Sequence, residues 1–206
     1  MERSDWSGRD SLEEVCPRGC RWTAHYREPM DCLYQSTFYF HFENLPNADG
    51  RHKTFLCFEV KNRNEVLHKG FFLNQPSPFR LHAELRFLSW LHDTCLCPYE
   101  YYQVTWYMSW SPCVECAEEL TTFLAGHRNV TLTIYVARLY YHQFPVYKNR
   151  LQALIKKGAT VKVMFFRDFL YCWRRFVYND FKRFYDWPNL HKNSLHYYKT
   201  LQHILE

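Results

Sequence analysis

The 206-residue chain is 47% hydrophobic and 19% aromatic, which is enough apolar surface for one folded domain and too much for a disordered chain. Its mean hydropathy is −0.48, and no stretch approaches the roughly 20 apolar residues of a membrane span. The charged N-terminal residues lack the apolar segment of a signal peptide. Neither secretion nor a membrane anchor is therefore expected. Residues 1–126 carry 12 Lys and Arg against 17 Asp and Glu, whereas residues 127–206 carry 14 against 4; this asymmetry favours a polyanionic partner such as nucleic acid, although cations on solvated helix faces would produce the same count.

Nine cysteines are an odd number in a chain with no secretory pattern. Disulfide frameworks belong to oxidising compartments, so we expect reduced thiols in the cytosol or the nucleus. Some of these thiols are then available as metal ligands.

Residues 1–29 are polar and show no sustained apolar period, so we expect an irregular N-terminal extension followed by one domain over residues 30–206. In chain order, that domain is expected to contain a helix over Met30–Phe42, strands over Thr54–Val60 and Gly70–Leu73 joined by a polar turn, a helix over His82–Leu91, a strand over Tyr101–Ser109, a helix from Ser111 to Gly126, a strand over Val130–Ala137, a helix over Pro145–Lys157, a strand over Thr160–Phe165, and helices over Phe169–Val177 and Leu190–Leu205. The alternation predicts an α/β domain with an antiparallel hairpin first and parallel strands in its second half.

The strongest motif is His82-Ala-Glu84, then 27 residues, then Pro112-Cys113-Val-Glu-Cys116. A Cys-x-x-Cys that opens a helix places two sulfurs one turn apart, at the helix end that favours thiolates. His82 opens another predicted helix and adds a nitrogen. Three protein ligands are typical of a catalytic zinc site, which keeps its fourth position for water, and a carboxylate such as Glu84 beside that water can transfer its proton.

Two alternatives to a catalytic zinc site stay open. The Cys-x-x-Cys can be a coincidence, or it can belong to a closed structural zinc site whose fourth ligand lies elsewhere. Candidate fourth ligands are His92, Cys95 and Cys97, which are close together in the sequence.

The His-x-Glu…Pro-Cys-x-x-Cys pattern is typical of zinc-dependent nucleobase deaminases. The chain resembles the APOBEC/AID family of polynucleotide cytidine deaminases, and within it the APOBEC3 branch with a Z2-type zinc domain. The resemblance covers residues 30–206 and rests on the segments Gly50-Arg-His-Lys-Thr-Phe-Leu-Cys57, His82-Ala-Glu-Leu-Arg-Phe-Leu-Ser-Trp90, Ser109-Trp-Ser-Pro-Cys113, Ala137-Arg-Leu-Tyr-Tyr141 and Tyr171-Cys-Trp173 with Phe176-Val-Tyr-Asn-Asp180.

The resemblance implies a cytidine-deaminase-like α/β fold, with a five-stranded mixed sheet flanked by six helices. It also implies hydrolytic deamination of cytosine to uracil in single-stranded DNA, with Zn²⁺ as cofactor and an antiviral role against retroviruses and retroelements. Its expected site residues are His82, Cys113 and Cys116 as zinc ligands, Glu84 as proton shuttle, the Ser111 carbonyl as acceptor from the 4-amino group, Asn74 at the sugar, His52 and Thr54 at the rim, Trp110 and Tyr140 as aromatic walls, and Tyr140, Tyr141 and His142 in a loop that reads a preceding thymine.

Each substrate-binding residue also has an ordinary structural interpretation. Trp110 and Tyr140 can be core aromatics, Thr54 a plain strand residue, His52 a plain loop residue, and Asn74 a turn former. Arg138, beside Tyr140, can contact phosphate or brace the loop that carries it.

Further partners are expected from the resemblance alone: RNA, a lentiviral Vif protein and a second copy of the chain, with no membrane. Acidic Glu115, Glu118 and Glu119 can belong to the Vif-binding surface or to a solvated helix face. The expected location is the cytoplasm, with the nucleus as alternative.

The chain can be a complete protein or one half of a two-domain deaminase. The alternative function is therefore a non-catalytic, zinc-stabilised domain that binds and packages single-stranded nucleic acid, and Glu84 argues against it because a pure binder has no use for that carboxylate. A free-nucleoside deaminase or an RNA editor is a third class.

Overall fold

The structure is a computed structural model that describes residues 28–75, 81–94 and 96–206. Its elements are β1 (Leu33–Tyr34), α1 (Gln35–Phe42), β2 (Phe55–Asn62), β3 (Glu65–Leu73), α2 (Ala83–Thr94), β4 (Tyr102–Met108), α3 (Val114–Gly126), β5 (Val130–Val136), α4 (Pro145–Lys156), β6 (Thr160–Val163), α5 (Phe166–Phe176), β7 (Val177–Tyr178) and α6 (Leu190–Leu205). The expected N-terminal extension lies almost entirely outside the described residues. No helix in the described part of the chain combines the length and the hydropathy that a membrane span requires.

The main sheet has five strands in the order β3-β2-β4-β5-β6. β2 pairs antiparallel with β3 and with β4, whereas β4, β5 and β6 are parallel to one another. Helices α3 and α4 connect the parallel strands, as parallel pairing requires. The predicted fold, a mixed five-stranded sheet flanked by six helices, is confirmed over the described residues.

Two hydrophobic cores lie on the two faces of this sheet. One is formed with α2, α3, α4 and α6, and it contains Phe87, Leu120 and Leu154. The other is formed with α1 and α5, and it contains Phe38 and Trp173. Because helices cover both faces, the carboxyl edge of the parallel strands is left as the open place for a ligand.

The second strand of the hairpin is longer than predicted. β3 begins at Glu65, not at Gly70, and only Arg63 and Asn64 form the turn, both with left-handed backbone (φ 47° and 71°) that suits a two-residue hairpin. The first half of β3 alternates exposed and half-buried residues along the sheet edge. It therefore lacks the apolar run that identifies a buried strand.

Three helix starts also differ from prediction. The segment predicted as one helix from Met30 contains β1 and begins its helix at Gln35, because Leu33 and Tyr34 pair with the distant β7. α3 begins at Val114, because Cys113 is extended (ψ 178°) and is the N-cap of the helix. α5 begins three residues earlier than predicted, where the Asp168 carboxylate accepts a hydrogen bond from the Phe165 N–H (2.8 Å).

Candidate active site

Three side chains with metal-binding atoms meet where α2 and α3 begin. His82 immediately precedes α2, Cys113 caps α3, and Cys116 lies in the first turn of α3. The His82 Nδ1 lies 3.2 Å from the Cys116 Sγ and 3.4 Å from the Cys113 Sγ. The three atoms lie within 4.8 Å of one another, and within the described ranges no other group of three His, Cys, Asp or Glu side chains is so arranged. This group can hold a metal ion.

The electrostatics of the group favour a thiolate at Cys113. A hydrogen bond from Cys116 lowers the pKa of the Cys113 thiol to about 5, and His82 acts in the same direction. That bond and burial raise the pKa of Cys116, and the bond with Cys113 raises the pKa of His82. The sulfurs and the imidazole therefore share protons in a compact cluster, which a divalent cation would displace on binding.

Glu84 lies one residue into α2 and is 3% exposed. Its Oε2 has no hydrogen-bond partner among the described residues. Burial raises the pKa of Glu84 to about 7, with the charge on Cys113 acting in the same direction. A buried carboxyl group with an unused oxygen beside a metal-binding group is suited to accept and return a proton near neutral pH.

A small cavity of about 120 Å³ opens onto Glu84 and the metal-binding group. It is lined by His52, Thr54, Asn74, His82, Glu84, Ser111, Cys113 and Tyr140. Six of the predicted site residues thus share one polar cavity with His82 and Cys113. Cys116 is fully buried and does not line the cavity.

Backbone hydrogen bonds hold the cavity walls in position. The Asn74 Oδ1 accepts from the N–H of Ala83 (3.0 Å), so this side chain caps α2 while it lines the cavity. The Ser111 Oγ accepts from the Tyr140 N–H (2.9 Å), and the Ser111 N–H donates to the Arg138 carbonyl (2.9 Å). These bonds join the loops that follow β4 and β5.

A wider cleft of about 530 Å³ adjoins the cavity. Trp110 and Tyr140 form an edge-to-face pair in its wall, with ring centroids 5.9 Å apart, and both are half-buried. The Trp110 Nε1 donates to the Arg51 carbonyl (2.8 Å), which fixes the indole. Both rings thus line an open cleft instead of filling the core.

The predicted site residues Tyr141 and His142, in the loop after β5, lie in two different environments. Tyr141 is 47% exposed, has left-handed backbone (φ 42°) and lines the cleft. His142 lines neither the cavity nor the cleft, and its ring faces Tyr197 of α6, with centroids 6.1 Å apart. Only a rearrangement of this loop would bring His142 to a ligand in the cleft.

Of the two roles that the sequence left open for Arg138, a phosphate contact or a brace of its loop, the structure shows the brace. It is fully buried, its Nη1 donates to the Glu43 carbonyl, and its Nη2 donates to the His41 carbonyl (2.7 Å). Its guanidinium carbon lies 4.2 Å from the centre of the Trp110 ring. Arg138 therefore joins the end of α1 to the aromatic wall of the cleft.

Sequence reasoning missed Arg51. Its Nε donates to the Phe40 carbonyl (2.6 Å) and its Nη2 to the Glu43 carboxylate (2.7 Å), so it ties the cleft wall to α1. The available signal was its place in the segment from Gly50 to Cys57, beside the predicted His52.

The alternative cluster of fourth ligands receives no support from the described residues. His92 is exposed and bonds Asp93 (3.1 Å), and Cys97 is half-buried. The third member, Cys95, lies outside the described residues.

Comparison with known proteins agrees with this geometry. The family model "APOBEC3, cytosine deaminase domain" matches residues 31–205. A Felis catus protein named "DNA dC->dU-editing enzyme APOBEC-3Ca" is 43% identical over 168 residues, which cover 79% of this chain and 88% of that protein.

Two rodent proteins are also similar. The Mus musculus "DNA dC->dU-editing enzyme APOBEC-3" is 42% identical over 194 residues, which cover 91% of this chain and 43% of the mouse protein. The Rattus norvegicus "DNA dC->dU-editing enzyme APOBEC3" is 41% identical, and 44% of its length is covered. The chain thus spans less than half the length of these rodent relatives. The family match and the identity to the feline protein show that the chain belongs to the APOBEC3 cytosine deaminase domain family.

Proposed function

We propose that this chain deaminates cytosine to uracil in single-stranded DNA by zinc-dependent hydrolysis. The observation that carries the proposal is the buried Glu84 carboxyl group, whose Oε2 has no hydrogen-bond partner among the described residues and which lines a small polar cavity beside a His/Cys/Cys group. The names of the relatives, all DNA dC-to-dU-editing enzymes, support the same reaction.

The donor set fits zinc. Two thiolates and one imidazole nitrogen are ligands that Zn²⁺ prefers, and three protein ligands leave a position open for water. His82, Cys113 and Cys116 would hold the ion. A zinc ion bound there would lower the pKa of water from 15.7 to about 7, which makes a nucleophile available near neutral pH.

The residues of the chain would handle the protons and the base. Cytosine and water yield uracil and ammonia, so one proton must move from the attacking water to the ring, and one must leave with the amino group. Glu84 is placed to carry these protons. The Ser111 carbonyl would accept a hydrogen bond from the 4-amino group, which thymine lacks. Asn74 would contact the sugar, and Thr54 and His52 the rim of the base.

The size of the cavity argues for an unpaired base. A cavity of about 120 Å³ admits one flipped pyrimidine and no paired one, because C4 of a paired cytosine is inaccessible inside the stack. The adjoining cleft would receive the preceding nucleotide between Trp110, Tyr140 and Tyr141. We propose a 5′-TC preference, and equal or faster turnover of 5′-CC oligonucleotides would contradict it.

The test measures uracil formation in a fluorescent single-stranded oligonucleotide with one TC site. The wild type is compared with Glu84→Gln and with the control Glu119→Gln, which changes an exposed carboxylate further along α3. Zinc content and folding are measured in each preparation. We expect the Glu84→Gln variant to retain zinc and lose at least about 10²-fold in rate, and the control to keep the wild-type rate.

Absence of turnover by folded, zinc-loaded wild-type chain would overturn the proposal. It would favour instead the non-catalytic domain that binds and packages single-stranded nucleic acid. The Z2 subclass, the antiviral role, the RNA, Vif and homo-oligomer partners, and the cytoplasmic or nuclear location stay predictions from the family resemblance.

A further inference from the structure

The small second sheet presents two tyrosines to solvent. β1 and β7 pair in parallel, with Leu33 opposite Val177 and Tyr34 opposite Tyr178. Leu33 and Val177 are buried, whereas Tyr34 and Tyr178 are 75% and 67% exposed. Because paired residues of neighbouring strands lie about 4.8 Å apart on the same side, the two phenol groups emerge next to each other.

A strained turn presents a third ring immediately after β7. Asp180 and Phe181 both have left-handed backbone (φ 50° and 57°), which is unfavourable for residues with a Cβ. Asn179 stabilises the turn: its Oδ1 accepts from the Phe181 N–H (3.0 Å), and its Nδ2 donates to the Trp173 carbonyl (2.9 Å). The Phe181 ring is fully exposed. Strain that persists to hold an apolar ring in water points to a ligand for that ring.

Unpaired cations flank these rings. Arg174, Lys182 and Arg183 are exposed, and none of them forms an ion pair within the described ranges. The remaining cation of residues 174–185, Arg175, is bound to the buried Glu59 carboxylate (2.5 Å). Residues 174–186 contain four cations and two acidic residues, Asp180 and Asp186, so the segment is net positive.

This surface is remote from the candidate active site. It lies where α1 begins and α5 ends, whereas the other end of α1 contacts Arg138 beside the cleft. The eight residues of α1 span about 12 Å, and the cleft opens beyond them. A nucleotide in the cleft therefore cannot cover this surface.

We propose that this surface is a second binding site for single-stranded nucleic acid. We name it the distal patch, and its residues are Tyr34, Arg174, Tyr178, Phe181, Lys182 and Arg183. Exposed rings next to cations suit such a ligand, because unpaired bases stack on the rings while phosphates meet the cations. Double-stranded nucleic acid offers no free base faces and binds less well. The site requires no chemistry and is independent of the proposed deamination.

The experiment measures binding of the full chain to oligothymidine of about 30 nucleotides by fluorescence anisotropy. This oligonucleotide contains no cytosine, so binding is measured without turnover. The aromatic variant is Tyr178→Thr with Phe181→Ser, in which threonine preserves β propensity. Its matched control is Tyr99→Ser, at an exposed tyrosine elsewhere. We expect the aromatic variant to bind roughly tenfold more weakly, and the control to bind like the wild type.

The charge variant is Lys182→Ser with Arg183→Ser, and its control is Lys156→Ser with Lys157→Ser, at exposed lysines at the end of α4. Loss of two phosphate contacts lowers the slope of log Kd against log salt concentration by about 1.4. Binding to oligouridine is measured in parallel to separate RNA from DNA. Stacking alone does not read the 2′-hydroxyl, so tighter binding of one polymer would identify that polymer as the preferred ligand.

Three outcomes would overturn the proposal. One is unchanged affinity and salt slope in folded patch variants, and another is an equal loss in the controls. The third is self-association of the wild type that the patch variants abolish in sedimentation, which would assign the surface to a contact between two copies. Failure of the proposed deamination is distinguishable, because oligothymidine binding would persist in a chain without turnover.

Discussion

Replacement of Arg138 by leucine tests whether this side chain braces the active-site cleft. The guanidinium is fully buried, donates to the backbone carbonyls of His41 and Glu43, and lies against the Trp110 ring. Burial lowers the pKa of Arg138 but leaves it protonated at neutral pH. The leucine variant fills much of the space and removes both donors and the charge.

The expected loss of stability follows from these contacts. Each hydrogen bond from a charged donor contributes about 1.5–3 kcal/mol, and the desolvated cation–π contact contributes about 2 kcal/mol. The return of several kcal/mol of guanidinium desolvation offsets part of this sum. We expect a net loss of about 3 kcal/mol, which lowers the Tm of a chain of this length by about 6–12 °C. Arg138→Lys keeps the charge but not the planar fork, so its loss should be intermediate.

Urea unfolding monitored by tryptophan fluorescence measures the free energy of unfolding, and deamination kinetics measure the site. We expect KM to rise in Arg138→Leu, because the positions of Trp110 and Tyr140 depend on the brace. Arg128→Leu, at an exposed arginine, serves as the control. A variant within about 1 kcal/mol of the wild type would refute the reasoning, particularly if the salt dependence of log Kd for an oligonucleotide fell by about 0.7, the change for one phosphate contact.

Three further predictions concern the helix cap, a buried histidine and the metal-binding group. Asn74→Ala removes the side-chain acceptor of the Ala83 N–H and should lower the free energy of unfolding by about 1 kcal/mol; Asn74→Asp keeps an acceptor and should retain most of that stability in the same urea titration. Burial, with Arg138 as the next contributor, lowers the pKa of His41 to about 4. The unfolded histidine binds its proton near pH 6.5, so the neutral folded His41 stabilises the protein above that pH. This stabilisation, about 2 kcal/mol after allowance for the partial exposure of His41, is lost as the pH falls towards 4. Unfolding measured between pH 7 and pH 4.5 should therefore be less pH-dependent in His41→Asn than in the wild type, and equal slopes would contradict the burial argument. Purified chain should contain one zinc ion by elemental analysis, and Cys113→Ser should lose it at chelator concentrations that the wild type withstands; equal retention would show that Cys113 is not a ligand.

The sequence alone determined the chemical group at the centre of the site. Cys113 and Cys116 are one helical turn apart, and Glu84 follows His82 by two residues, so local geometry restricts where these side chains can point. Elements with a strong hydrophobic pattern were also predicted from the sequence. The observed bounds of β4, β5, α4 and α6 lie within one or two residues of the predicted ones. Such features depend on neighbours in the chain, and the sequence displays them directly.

Only the tertiary structure decided the features that depend on distant residues. β1 forms because Tyr34 pairs with Tyr178, and no local sequence pattern predicts that pairing. Arg138 is a brace because the carbonyls of His41 and Glu43 meet it in the folded chain, almost a hundred positions away in the sequence. The physical reason is that the sequence does not determine whether a charged side chain is exposed or buried. Only the packing of the folded chain determines which polar partners replace the water around that side chain.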